Sequence, residues 1–400
     1  MNDFRAFTVG DAVRAAEAAL SRTAGGAVVI DAVRDFGGEQ RRNLILRASA
    51  TGPDGVTRPV IIKATRAAGY DATAETAYQT SGLVKEWAAT TLLARQASRP
   101  GGRAALLSAD VTQGVLVFED YGEDLASLVH PLLHGSAGAA AQALKAYAGA
   151  LAQLHAGTIG CREDHAQIVR TTLPAATLPP PGHGWIEREP RAVIGLLGGS
   201  IPDGELTLMA SRLQSPGPWQ ALVHGDPCPD NVLLTADGTA RLIDFEFARP
   251  GHALLDAAYW RMGFPTCWCA GRVPGALSQQ LDDAYRMALA EAVPAAADPE
   301  VFRQESAIIA VIWMLGSLAW LLEAALEKDT EWGIATRRSR ILHYLEAAIQ
   351  QANDADVLPG TRRTAGAWLE DLRARWAGCS ALAVYPAFEV PATGDDAASA

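Results

Sequence analysis

At 400 residues, 49% of them hydrophobic and 20% charged, the chain has enough apolar material for two cores and no need of a third domain. A formal net charge of -11 and an isoelectric point near 5.2 argue against a nucleic-acid partner, which calls for a basic stripe, and suit a cationic or neutral ligand. The first residues, Met1 to Ala6, lack the basic and apolar regions of a secretory leader, so a cytoplasmic protein with five free thiols is expected.

In chain order, Val9 to Arg22 predicts a helix and Ala27 to Arg66 a group of strands. Within that group, Val33 to Arg47 sets a Gly37-Gly38 turn between two strands, where a phosphate-covering loop would lie. A bare hairpin turn explains the two glycines equally well, since the G-x-G-x-x-G pattern is absent. Pro59 to Ala64 is an apolar strand carrying Lys63. The chain has only Lys63, Lys85, Lys145 and Lys328 and otherwise uses arginine, so a lysine kept in a β-branched strand suggests a need for a compact ammonium. The alternative is an edge-strand lysine reaching for water. A helix from Ser81 to Ser98 follows, then Val115 to Gly122, a buried strand running into a polar bend.

From Leu125 the pattern turns helical. Ala139 to His155 is one helix, with Gly157 suited to cap it, and Cys161 to Gln220, with Pro179-Pro180-Pro181, predicts loops and short helices such as Pro190 to Leu197. Four helices are expected at 275–292, 299–326, 336–353 and 362–376. Ser306 to Leu322 is uncharged but shorter than the ~20 residues of a membrane span, and Glu305 and Glu323 flank it, so a buried central helix is expected. Cys267-x-Cys269 lacks further ligands for zinc and predicts small buried residues. Gly394 to Ala400 is small and polar, suiting a frayed tail.

The most informative run is His224 to Glu246, HGDPCPDNVLLTADGTARLIDFE. Val232 to Leu234 and Ala240 to Ile243 are short apolar strands around Asp237-Gly238, a strong hairpin signal. Pairing them brings Asn231 beside Asp244, with Asp226 five residues before Asn231. An aspartate base and two hard oxygen ligands are what phosphoryl transfer asks of a protein: an oriented hydroxyl, an acceptor for its proton, and metal against the phosphate charge.

This run resembles the aminoglycoside phosphotransferase and choline kinase-like family, whose catalytic loop reads H-G-D-x-x-x-x-N followed by I-D-[WF]-E. His224, Gly225, Asp226, Asn231, Ile243, Asp244, Phe245 and Glu246 occupy those places. Pro227, Cys228 and Asp230 depart from the apolar residue, histidine and glycine usual there. The resemblance implies an α+β, two-lobed, protein-kinase-like fold, with a small sheet-rich lobe at 1–122, a larger mainly helical lobe at 123–393 and a tail at 394–400. It implies ATP and Mg2+ as cofactors, Asp226 as base, Asn231 and Asp244 as metal ligands, and Lys63 on the α- and β-phosphates. Glu86 would hold Lys63, with Glu75 the second choice; Gly37 and Gly38 would cover phosphate, and backbone groups of Glu119, Asp120 and Tyr121 would bind adenine. His224 and Asp256 would brace the catalytic loop.

The activity so implied is phosphate transfer from ATP to the hydroxyl of a small molecule such as an aminoglycoside, amino alcohol or sugar. Glu246, Asp256, Glu187 and Glu189, with Trp185, Tyr259, Trp260 and Trp268, flank the hairpin and suit an amine-bearing or sugar-like acceptor; burial in the core is the competing reading for the aromatics. Neither a nucleic acid nor a membrane is expected as partner, and the oligomeric state stays open. Two rival classes are a nucleotide-binding scaffold without catalysis and a metal-dependent hydrolase using His224, Asp226 and Asp244 as ligands.

Overall fold

Alternating apolar residues build the first sheet. The computed structural model describes residues 7–36, 42–67, 69–95, 105–122, 125–380 and 382–389. Strands β1 (Val29–Asp35), β2 (Asn43–Thr51), β3 (Thr57–Thr65), β4 (Leu106–Asp110) and β5 (Val115–Glu119) form one antiparallel sheet in the order β1-β2-β3-β5-β4. Along β2, Leu44, Leu46, Ala48 and Ala50 are buried on one face, the two-residue period of a half-buried strand. With Val60, Ile62 and Ala64 of β3 they pack beneath the helix Val9–Ala24, which contributes Ala12 and Ala16. Thr8 and Asp11 cap that helix reciprocally and Gly25, at φ 66°, closes it. Ile45, Ile61 and Lys63 point from the opposite face into a cleft. The expected Gly37-Gly38 turn lies outside the described residues.

The rest is mainly helical, giving the two-lobed α+β arrangement expected. Helix Ala137–Gly157, capped by Ser136, lies against the hairpin of residues 232–242. The expected buried helix is present as Pro299–Glu327, capped by Asp298; it is long and apolar enough to cross a membrane, and 67% of its most apolar window is buried inside the molecule. Segment 161–220 corrects the loop-rich expectation. It holds three helices, Arg162–Thr172, Trp185–Leu197 and Asp203–Gln214. Pro190 sits inside the second of these helices, which starts five residues before the expected Pro190 boundary, and burial of Trp185 and Val193 in the core accompanies that start. The predicted tail at 394–400 lies outside the described residues.

Candidate active site

The hairpin forms as its turn chemistry requires. β8 (Val232–Leu234), the eighth strand after β6 (Ala126–Ser127) and β7 (Gln220–Val223), pairs with β9 (Ala240–Leu242) in the register Val232↔Leu242. Gly238 adopts φ 79° at the turn, and its N–H donates to the Thr235 carbonyl at 2.9 Å. Beyond the strands, the Ile243 N–H donates to the Asn231 carbonyl at 3.0 Å, which holds Asn231 near Asp244. Asp244 itself sits at φ 63°, a strained conformation for a residue with a Cβ and one that recurs at functional sites.

Upstream, the chain from β7 turns through His224 and Gly225. Gly225, at φ 81°, passes so close to the next segment that a Cβ there would lie 2.5 Å from the Phe247 carbonyl oxygen. Its N–H donates to Asp256 Oδ1 at 3.0 Å, and the His224 N–H donates to Asp256 Oδ2 at 2.6 Å. His155 Nε2 donates to the same carboxylate at 3.0 Å and its Nδ1 meets Tyr285 Oη at 2.6 Å. Asp256 is fully buried; burial opposes its charge, but the hydrogen bonds from His155 and His224 outweigh it and hold its pKa below the ordinary range. Burial also lowers the His224 pKa, so the ring is neutral: Nε2–H donates to the Ile243 carbonyl at 2.8 Å and Nδ1 accepts from the Asp226 N–H at 3.4 Å. Asp256 thus binds two amides of the loop and both ring nitrogens of His224 are engaged by backbone groups.

Lys63 Nζ lies 2.5 Å from Glu86 Oε2 and 2.5 Å from Asp244 Oδ1. Glu86 lies on the buried face of helix Gly82–Arg95, whereas the second choice, Glu75, has no such contact. Burial by itself would lower the Lys63 pKa, but the carboxylates of Glu86 and Asp244 outweigh it and raise it above the ordinary lysine range. These three groups line a cleft of about 500 Å3 with apolar walls from Ile45, Ile61, Phe118, Leu125 and Leu233. The expected hinge, Glu119 to Tyr121, borders the same cleft. Two of its amides are engaged elsewhere, with the Glu119 N–H on the Ala105 carbonyl at 2.9 Å and the Asp120 N–H on the Pro59 carbonyl at 3.3 Å. Of the backbone groups expected to hydrogen-bond adenine, these two N–H donors are therefore taken within the protein. Asp120 instead pairs with Arg47 at 2.7 Å, and Tyr121 Oη accepts from the Ala105 N–H at 3.0 Å.

Asp226 is held from a segment that sequence reasoning passed over. Thr266 Oγ1 donates to Asp226 Oδ1 at 2.6 Å. Tyr259 Oη lies 2.9 Å from the same threonine oxygen and reaches the Gly225 carbonyl at 3.4 Å. Burial pushes the Asp226 carboxyl up to about 6, helped by the nearby charges of Asp230, Asp244 and Glu246 and resisted by Thr266. Asn231 Nδ2 donates to the Asp226 carbonyl at 2.9 Å, leaving its amide oxygen as the end able to take a cation. Asn231 and Asp244 thus offer neighbouring hard oxygens, Asp244 on the wall of the cleft with its side chain 39% exposed, a donor set that suits Mg2+ shared with phosphates.

The cysteines depart from expectation: Cys228 and Cys267 form a disulfide, with Cα atoms 5.6 Å apart. The fold closes the 39-residue separation by laying the 264–269 turn on the catalytic loop, a juxtaposition that cysteine counting does not show. Cys161, Cys269 and Cys379 are free. Among the aromatics, Trp185, Tyr259 and Trp260 are core residues, which corrects their placement against an acceptor. The Trp260 indole donates to Asp282 at 2.9 Å, away from the cleft. Trp268, 40% exposed, is different, since its indole donates to Asp230 Oδ2 at 3.0 Å beside the catalytic loop. Glu246 lines the cleft and burial raises its pKa, while Glu187 is exposed and Glu189 packs against Gly316.

Comparison with known proteins gives three findings. Residues 104–296 match the model of the phosphotransferase enzyme family (APH), a segment that contains Asp226, Asn231 and Asp244 and begins after Lys63 and Glu86. No curated protein matches the chain. Similar solved structures include the choline kinase LicA of Streptococcus pneumoniae, 16% identical over 80% of this chain and 94% of its own, with a TM-score of 0.41. The macrolide 2'-phosphotransferase MphH of Brachybacterium faecium is 15% identical over 77% of this chain and 97% of its own, with a TM-score of 0.40. A Plasmodium vivax ethanolamine kinase is 12% identical over 84% of this chain and 83% of its own, with a TM-score of 0.42.

Proposed function

We propose that the protein, whose residues 104–296 match the model of the phosphotransferase enzyme family, is an ATP- and Mg2+-dependent kinase of a small-molecule hydroxyl. The observation that carries the reading is the contact of Lys63 with both Glu86 and Asp244 inside the cleft, with Asn231 held near Asp244 and hydrogen-bonded to Asp226. Lys63 then holds the α- and β-phosphates and Glu86 holds Lys63. Asn231 and Asp244 are the residues that would hold Mg2+, which when bound neutralises charge on the transferred phosphoryl group. Asp226 orients the acceptor hydroxyl and takes its proton as the oxygen attacks. Its raised pKa, near 6, keeps it ionised at neutral pH yet basic enough for that task.

The acceptor is proposed to be amine-bearing or sugar-like, on the strength of Asp230, Glu246 and the exposed face of Trp268 beside the base. The two lobes are taken to divide near Gly122. The test is ADP release from ATP with Mg2+ over a panel of aminoglycosides, amino alcohols, sugars and hydroxy acids. Stimulation by an acceptor supports the kinase. Nucleotide binding without stimulation by any of them identifies a scaffold and overturns the kinase reading.

A further inference from the structure

The Cys228–Cys267 disulfide sits against the proposed base, and its place suggests more than general stability. Cys228 lies two residues after Asp226, and its sulfur is 3.1 Å from Asp226 Oδ1 and 3.3 Å from Thr266 Oγ1. Cys267 follows Thr266, whose hydroxyl makes the 2.6 Å hydrogen bond to that same Oδ1. A sulfur in a disulfide has no proton to donate, so Thr266 is the O–H donor on this oxygen. Among the described residues, the other carboxylate oxygen, Oδ2, meets only the long 3.4 Å approach of Asn231 Nδ2. Both cysteines are buried, at 3% and 1% exposure, and the turn that carries them is fastened further by Tyr259 to Thr266 and by Arg340 Nη1 to the Cys267 carbonyl at 2.8 Å.

We propose that Thr266 is a positioning residue that fixes the Asp226 carboxylate with Oδ2 toward the acceptor, and that the Cys228–Cys267 disulfide holds Thr266 in register with the catalytic loop. The inference rests on the kinase reading for its catalytic consequence. A threonine hydroxyl alone sets one torsion of the aspartate. The covalent tie prevents the 264–269 turn from drifting away from residues 226–228, and a drift of about 1 Å at a reacting group lowers rates by about a hundredfold.

The experiment is a small set of variants read by kinetics and by amide hydrogen exchange. Thr266→Val is expected to lower kcat about 10- to 100-fold with the KM for ATP within about threefold of wild type, and Thr266→Ser to restore most of it. Cys228→Ser with Cys267→Ser should lower kcat in the same way. The triple variant should be no slower than the worse of its parents, because both changes act through one carboxylate. Reduction of the intact protein by dithiothreitol, which passes two electrons and two protons to the S–S bond and leaves as its cyclic disulfide, should give the same loss. Non-reducing peptide mapping should recover residues 228 and 267 linked. Wild-type kcat in Thr266→Val, a Thr266→Ser as slow as the valine, multiplicative losses in the triple variant, or two free thiols at 228 and 267 would each overturn the proposal. If no acceptor gives ADP, the kinase reading fails and hydrogen exchange alone decides: faster exchange at 226–231 in both variants supports the positioning role, and unchanged exchange overturns it.

Discussion

Replacing Lys63 by methionine separates the energetic from the chemical role of this ion cluster. The Lys63 side chain is 8% exposed and that of Glu86 3% exposed, so Lys63→Met strands a carboxylate that water barely reaches. Breaking a buried pair by removing one partner costs about 3–5 kcal/mol. Asp244, 39% exposed, is partly solvated and adds little, so a loss of about 3 kcal/mol is expected. Adding Glu86→Leu removes the stranded charge and fills the space with an apolar side chain, which should return the stability to within about 1 kcal/mol of wild type. Urea unfolding followed by the fluorescence of the ten tryptophans measures both. Phosphate transfer should be lost in the single and the double variant alike, since neither has an ammonium. If Lys63→Met were as stable as wild type, or the double variant no more stable than the single, the buried ion-pair argument would be wrong. Retained turnover in either variant would remove Lys63 from the mechanism.

Three further outcomes are expected. Asp226→Asn keeps the side chain's shape without its basicity, so turnover should drop by about two to four orders of magnitude while binding of a fluorescent ATP analogue survives. Asp244→Ala should abolish the Mg2+-dependent part of that binding, as should chelation with EDTA in the unmutated protein; equal binding with and without Mg2+ would exclude the assigned ligand role. Burial holds His165 and His343 neutral down to a pKa of about 4, against an ordinary value of 6.5. Below 6.5 the unfolded chain takes up protons that the folded chain refuses, so stability falls as pH drops from 6.5 toward 4, by about 1.4 kcal/mol per pH unit for each histidine. The urea midpoint tracks this loss, and His165→Gln with His343→Gln should flatten it.

The parts of the site that were legible in the sequence are those held by local chemistry. Asp237-Gly238 between two apolar runs specifies a tight turn, so the approach of Asn231 to Asp244 follows from residues within one short segment. Lys63 was legible through its rarity and Glu86 through its position on the next helix. Asp256, 30 residues beyond Asp226, was reached through the family resemblance, and the structure supplies the reason in its hydrogen bonds to two loop amides. What stayed hidden depends on long-range packing. Thr266 is a hydroxyl in a turn after Phe264, itself at φ 58°, and nothing local distinguishes it from a surface threonine. One signal was present in the pair Cys228 and Cys267, since a cysteine where the family has histidine and a second in a nearby turn could be read together. The aromatics misled because large rings near a motif are more often core, as Trp185, Tyr259 and Trp260 are.

The charge of the cleft gives a reason why a metal would suit the proposed chemistry. Lys63 brings one ammonium to a cleft that also carries Glu86, Asp244 and Glu246, and the charge of Asp226 lies close enough to interact with Asp244 and Glu246. Arg42 lies 3.9 Å from Glu246 and Arg47 is paired with Asp120, so neither adds an uncompensated positive charge. A triphosphate entering alone would meet more negative than positive charge in a partly dry space, where Coulomb repulsion is weakly screened. Asn231 and Asp244 would hold a divalent cation there, and its charge would offset that repulsion and compete with Lys63 for the Asp244 carboxylate. The Lys63–Asp244 contact thus sets the proposed positive end of the phosphate site beside its proposed metal-binding end.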